Sequence, residues 1–135
     1  MKYIDIGIKV KWWYKYEDKF LSDFMLENKN KDWWGYKLKD IWRVLKPCDC
    51  IFINKYWLFF CEAKIIKKET LNFSEIRSNQ WTALYRIQKL IEKYDLPKIY
   101  STILVFSESR NDYFFIEFKY ILELSERWET KITFL

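Results

Sequence analysis

Apolar and polar positions alternate along this chain with two distinct periods, and the change of period marks out its elements. The first thirteen residues alternate loosely (Ile4, Ile6, Ile8, Val10), as expected of a strand or an interface arm. From about Tyr16 to Glu27, Phe20, Leu21, Phe24 and Met25 recur at helical spacing, and Glu17 shares their stripe. Asn28 to Asp32 then reads as a turn, with Trp33-Trp34-Gly35 as its aromatic continuation. Strands are expected at about Lys39–Leu45, Asp49–Ile53 and Trp57–Ile66, the last two joined by a tight turn at Asn54-Lys55. Lys67–Phe73 reads as a basic loop and Ser74 as the N-cap of a helix that runs to about Tyr94. Ile76, Leu84, Ile87, Ile91 and Tyr94 line one face of that helix, and Gln80 falls on the same face. Asp95-Leu96-Pro97 stops it. Strands at Tyr100–Phe106 and Tyr113–Phe118 flank a turn at Ser107–Asp112, and Tyr120–Trp128 reads as a last helix. This order predicts an α/β sandwich, a mixed sheet between helices.

The densest chemistry lies in Pro47-Cys-Asp-Cys-Ile-Phe-Ile-Asn-Lys-Tyr-Trp-Leu-Phe-Phe-Cys-Glu-Ala-Lys64. Strand alternation sends Glu62 and Lys64 to one sheet face and Phe59, Cys61, Ala63 and Ile65 to the other. A strand apolar on both faces is buried on both sides, where a charge is costly unless paired or bound to metal. Asp49, Glu62 and Lys64 held there make a ready site for a hard divalent cation and a phosphate.

These residues resemble the PD-(D/E)xK nuclease superfamily. Glu62-Ala63-Lys64, then Lys67-Lys68-Glu69-Thr70, then Ile76-Arg77-Ser78-Asn79-Gln80 opening a helix, are similar to the RecU-type Holliday-junction resolvases. Tyr113-Phe114-Phe115-Ile116-Glu117-Phe118, with Leu122 and Trp128, looks like the terminal strand and helix of that group, so the likeness runs from about Glu17 to Trp128. It departs in two places: Asn28–Pro47 is short for the stalk of those enzymes, and Tyr14-Lys15-Tyr16 stands where they carry glycine and lysine.

The resemblance implies a restriction-endonuclease-like fold and a Mg2+-dependent endonuclease, with Mn2+ as substitute, acting on branched DNA. By it, Asp49 and Glu62 ligate the metal together with the backbone carbonyl of Ala63. Lys64 orients the attacking water and offsets charge on the scissile phosphate. Glu17 matches the acid of the first helix and Gln80 the residue that fixes the lysine or the water. Read without it, Asp49 and the Glu62/Lys64 pair form an ordinary ion pair at a strand end, Glu17 favours a helix dipole, and Gln80 makes a structural hydrogen bond. Lys67, Lys68, Arg77, Arg86 and Lys89 could contact phosphates, while Arg86 and Lys89 also fit a solvated helix face. Other superfamily enzymes (VRR-NUC-type nucleases, restriction endonucleases) and an inert DNA- or protein-binding module on the same fold are the rival readings.

At 135 residues the chain is expected to form one domain. Eight Trp, ten Tyr and eleven Phe against only two Gly and two Pro argue for an element-rich fold. They also give more apolar surface than so small a domain readily hides, and a symmetric homodimer is one outlet. Trp12-Trp13 and Trp33-Trp34 suit base stacking or a junction wedge on one reading, a core or dimer interface on the other. A net charge of +5 is compatible with a polyanionic partner. Three cysteines and no histidine leave a zinc site a ligand short, so Cys48, Cys50 and Cys61 read as buried reduced thiols. No apolar run approaches the ~18–20 residues of a membrane span. The opening residues lack a signal-peptide core, and the expectation is an intracellular, cytoplasmic protein.

Overall fold

The structure, a computed structural model, describes residues 3–9, 21–22, 26, 33–38 and 48–134. A six-stranded mixed sheet runs in the order β1-β7-β6-β4-β3-β2. Its strands are β1 (Tyr3–Lys9), β2 (Trp33–Lys37), β3 (Cys50–Asn54), β4 (Leu58–Ile66), β6 (Ile99–Ser107) and β7 (Asp112–Glu117). Two short strands, β5 (Thr70–Asn72) and β8 (Lys131–Thr133), pair separately, and the helices are α1 (Ser78–Lys93) and α2 (Phe118–Glu126). β4 and β6 are parallel and central, joined by the α1 crossover; the other pairings are antiparallel. The α/β sandwich expected from the sequence is the observed fold.

Each face of the sheet has its own core. On one, Cys50, Phe52, Phe59, Cys61, Ala63, Leu104, Phe106, Tyr113 and Phe115 pack with Leu21, which is helical. Phe59 stacks between Phe115 (4.7 Å) and Tyr100 (5.3 Å), so part of the aromatic load fills this layer. On the other face, Ile66, Ile103, Val105, Phe114 and Ile116 pack under Leu84 of α1 and Phe118 and Ile121 of α2. Ser101 Oγ donates to Leu84 O at 3.0 Å and seats the helix over β6.

Several elements differ from expectation. Trp33-Trp34-Gly35 belongs to β2, paired with Asn54-Ile53-Phe52, and does not continue a turn. Within the expected loop Lys67–Phe73, residues 70–72 form β5, and a 3-10 turn, Phe73–Glu75, follows, its start held by the Asn72 N–H donating to Glu75 Oε2. Helix α1 therefore starts at Ser78 with Arg77 as N-cap, not at Ser74, and Tyr94 is its exposed C-cap and not part of the inward face. The last helix starts at Phe118, and β8 follows it. The strand expected at 39–45, the acid Glu17 and the doublet Trp12-Trp13 lie outside the described residues.

Candidate active site

The site lies where β3 begins and β4 approaches its end. Cys50 opposes Cys61, and Asp49, one residue earlier, donates its backbone N–H to Cys61 O at 2.9 Å. There, just ahead of β3, the ladder stops and the Asp49 side chain takes over from it: Oδ2 accepts the Ala63 N–H at 2.9 Å. The Asp49 carboxylate is thereby fixed on the residue between Glu62 and Lys64. The C=O of a strand residue leaves the same edge as its N–H, so the Ala63 carbonyl also lies on this edge, past the last rung.

Glu62 and Lys64 share a face with Phe60 and Ile66, as their alternation predicts, and it is the α1 face. Glu62 is 3% exposed, and Gln80 Nε2 donates to its Oε1 at 2.6 Å. Gln80 is the third residue of α1, and its Oε1 accepts the Arg77 N–H at 3.0 Å. One amide thus caps the helix with its oxygen and holds a buried carboxylate with its nitrogen. The sequence places Gln80 near the site, but its hold on the Arg77 backbone goes unread there. The available signal was a glutamine three residues beyond a helix start. Lys64 is half-buried and makes no ion pair among the described residues.

The donor set fits a small hard cation. Asp49, Glu62 and the Ala63 carbonyl offer only oxygen, and among the described residues no group of three or more His, Cys, Asp or Glu side chains is arranged to hold a metal ion. One or two carboxylates, with waters and substrate phosphates completing the shell, is how magnesium is usually held. The thiols are poor competitors. Cys50 and Cys61 point into the opposite core, Cys48 Sγ donates to Cys50 O at 3.3 Å, and all three are buried. Burial pushes the Cys48 thiol up to about 12 and the Cys50 thiol well above its ordinary value, away from the thiolate that a soft metal needs.

Lys67, Lys68 and Arg77 are exposed at this end of the sheet, and Arg86 is exposed farther along α1. Lys89 instead pairs with Glu92 at 3.3 Å on the helix surface. No helix among the described residues is long and apolar enough to cross a membrane.

No protein-family model and no curated protein matches the chain. Its fold is similar to that of Hjc, a Holliday junction resolvase from the archaeal hyperthermophile Archaeoglobus fulgidus. The TM-score is 0.59 at 16% sequence identity, over 85% of this chain and 85% of that one. At that identity the likeness speaks for the fold.

Proposed function

We propose that this chain is a metal-dependent, structure-selective DNA endonuclease of the PD-(D/E)xK class, most specifically a resolvase of four-way junctions. The observation that supports the reading is the Asp49 carboxylate bonded to the Ala63 N–H, with Glu62 and Lys64 on either side of that residue along β4. It occurs on a fold shared with an archaeal Holliday junction resolvase. Likeness to the RecU group in particular rests on the sequence alone.

In this reading Asp49, Glu62 and the Ala63 carbonyl hold Mg2+, or Mn2+ in its place, with Glu17 as a further acid. The bound ion supplies Lewis acidity for a phosphoryl oxygen and lowers the pKa of a water. Lys64 orients the attacking water and sets a positive charge against the phosphate. Gln80 keeps the Glu62 carboxylate aimed by fixing one of its oxygens. Lys67, Lys68, Arg77 and Arg86 meet backbone phosphates, each contributing a salt-dependent increment. A DNA substrate accords with a single nuclease domain acting in the cytoplasm.

The enzyme is proposed to act as a homodimer, since paired incisions of a four-way junction need two sites related by a two-fold axis. The sheet face that carries Glu62 also carries an uncovered apolar corner. Across β2, β3 and β4 lie Tyr36 opposite Ile51 and Ile51 opposite Phe60, with Ile53 beside Leu58. Tyr36 is 48% and Ile53 40% exposed. The deciding test is cleavage of a four-way junction, a flap, a nicked duplex and linear duplex side by side with magnesium. Paired, symmetric nicks in the junction with the linear duplex spared are expected. Equal cutting of linear duplex would favour a general endonuclease, and robust cleavage in excess EDTA would sink the metal mechanism.

A further inference from the structure

Trp128 is 93% exposed, and its φ of 66° lies in the left-handed region. It occupies the first position past the C-cap of α2, where glycine is usual. The turn is closed by two hydrogen bonds, Trp128 N–H to Ser125 O at 3.1 Å and Glu129 N–H to Leu124 O at 3.0 Å. The tryptophan is therefore held in a backbone state its own Cβ disfavours. The two hydrogen bonds hold the turn, but the ring itself adds little packing, and a left-handed backbone kept at an exposed aromatic is a pointer to function.

Its position supports that pointer. β7 runs antiparallel to β6, so α2 begins low on the sheet and climbs back toward the end where β4 carries its charges. Phe73 N–H donates to Thr130 O at 2.9 Å, and β8 pairs with β5, just past that end of β4. Trp128 accordingly lies two residues before Thr130, which bonds Phe73 on the segment leading into α1, whose third residue grips Glu62. Its exposed neighbours in sequence are Glu126, Arg127, Glu129, Thr130 and Lys131, all polar. A tryptophan that anchors a protein partner is normally ringed by apolar contacts that exclude water. An exposed indole flanked by Arg127 and Lys131, with Glu126 and Glu129 in the same turn, suits a nucleobase stacked on the ring with its phosphates directed toward the two cations.

We propose that Trp128 is a stacking platform for an unpaired or unstacked base at the branch point of the DNA substrate. The inference rests on the endonuclease reading and adds to it the element that senses the branch. The test compares wild type, Trp128→Gly and Trp128→Phe with calcium in place of magnesium. The probes are a four-way junction carrying 2-aminopurine at its branch point and a linear duplex of the same composition. Trp128→Gly should bind the junction about tenfold or more weakly, the scale of one lost base stack, with linear duplex affinity held within about twofold. The 2-aminopurine signal of the wild-type complex should vanish in Trp128→Gly and persist in Trp128→Phe. The melting temperature of Trp128→Gly should equal or exceed that of wild type, since glycine relieves the left-handed position. Unchanged junction affinity, equal loss on linear duplex, a lower melting temperature or an altered oligomeric mass would each overturn the proposal. The last would assign the ring to a protein contact. Wild type that shows no preference for the junction would instead remove the resolvase reading itself.

Discussion

Gln80 holds Glu62 through Nε2 at 2.6 Å while its Oε1 receives the Arg77 N–H at 3.0 Å, so the start of α1 and a buried carboxylate of β4 are fixed by one amide. Each bond dictates the orientation of the other: if the amide flips, both are lost. Gln80→Ala should leave the fold in place but raise the metal concentration that half-saturates cleavage by about 10–100-fold, the usual effect of losing a residue that orients a metal ligand. Gln80→Glu should be worse, because it sets a second carboxylate against Glu62 and presents no donor. Single-turnover cleavage across a magnesium titration separates these outcomes from a loss of DNA affinity. A Gln80→Ala enzyme with wild-type metal dependence would refute the positioning role.

Asp49 has two duties, and two substitutions divide them. Asp49→Asn keeps an oxygen that can accept the Ala63 N–H, so stability should change little while cutting is abolished. DNA binding should stay equal or tighten, since a negative charge facing phosphate is gone. Asp49→Ala also leaves that N–H without its acceptor and should cost about 1–3 kcal/mol of stability. Denaturant unfolding and junction binding on both variants provide the comparison. Glu62→Gln should match Asp49→Asn in activity and binding.

Lys64→Ala should lose turnover with much smaller loss of binding, because its half-buried amine is proposed to act on water and phosphate at the reacting bond. An active Lys64→Ala protein would mean that another cation does this work.

How far the sequence revealed this arrangement depends on the range of the interactions involved. Glu62 and Lys64 were legible because strand alternation is local: two residues apart means one face. The β3–β4 hairpin and the strands β6 and β7 were legible for the same reason, their apolar runs being bounded by turn residues. β5 and β8 were not, since each has three residues and finds its partner far along the chain, Thr70 pairing with Thr133, 63 positions away. β2 was hidden by Gly35 in the middle of an aromatic run, which reads as a turn until pairing with Phe52 overrides it. Ser74 has the better cap chemistry, yet α1 starts after Arg77, because Gln80 supplies the capping oxygen from inside the helix.

The buried thiols give a stability prediction with a definite sign. Cys48 is pushed up from 9.0 to about 12, chiefly by burial, and Cys50 shifts the same way. The folded state retains these protons at a pH where the unfolded chain has lost them. Their contribution is therefore fully present below about pH 8.5 and is lost as pH rises toward 12. Thermal unfolding should show falling stability above about pH 9, and Cys48→Ala should flatten that fall. At pH 8 the buried Cys48 remains a thiol, so iodoacetamide should label it only in denaturant.

The apolar corner of the sheet leads to the prediction about assembly. Tyr36 and Ile53 are exposed on the face that carries Glu62, with Ile51 and Phe60 half-buried beside them. Pairing this corner with its copy about a two-fold axis would bury apolar surface. A stable interface of that kind covers roughly 1,200–2,000 Å² in total. Light scattering at assay concentrations should give the mass of two chains. Ile53→Lys should shift it toward one chain, since the lysine would face its own copy, while a lysine on an exposed strand should leave the monomer folded. If dimerisation serves paired incision, that variant should still nick junctions but lose the coupling between the two nicks. A plasmid-borne cruciform measures this, because uncoupled nicks give nicked circles and coupled nicks give linear product. A monomeric wild-type mass with DNA present would refute the dimer, and linear product from monomeric Ile53→Lys would show that coupling does not need it.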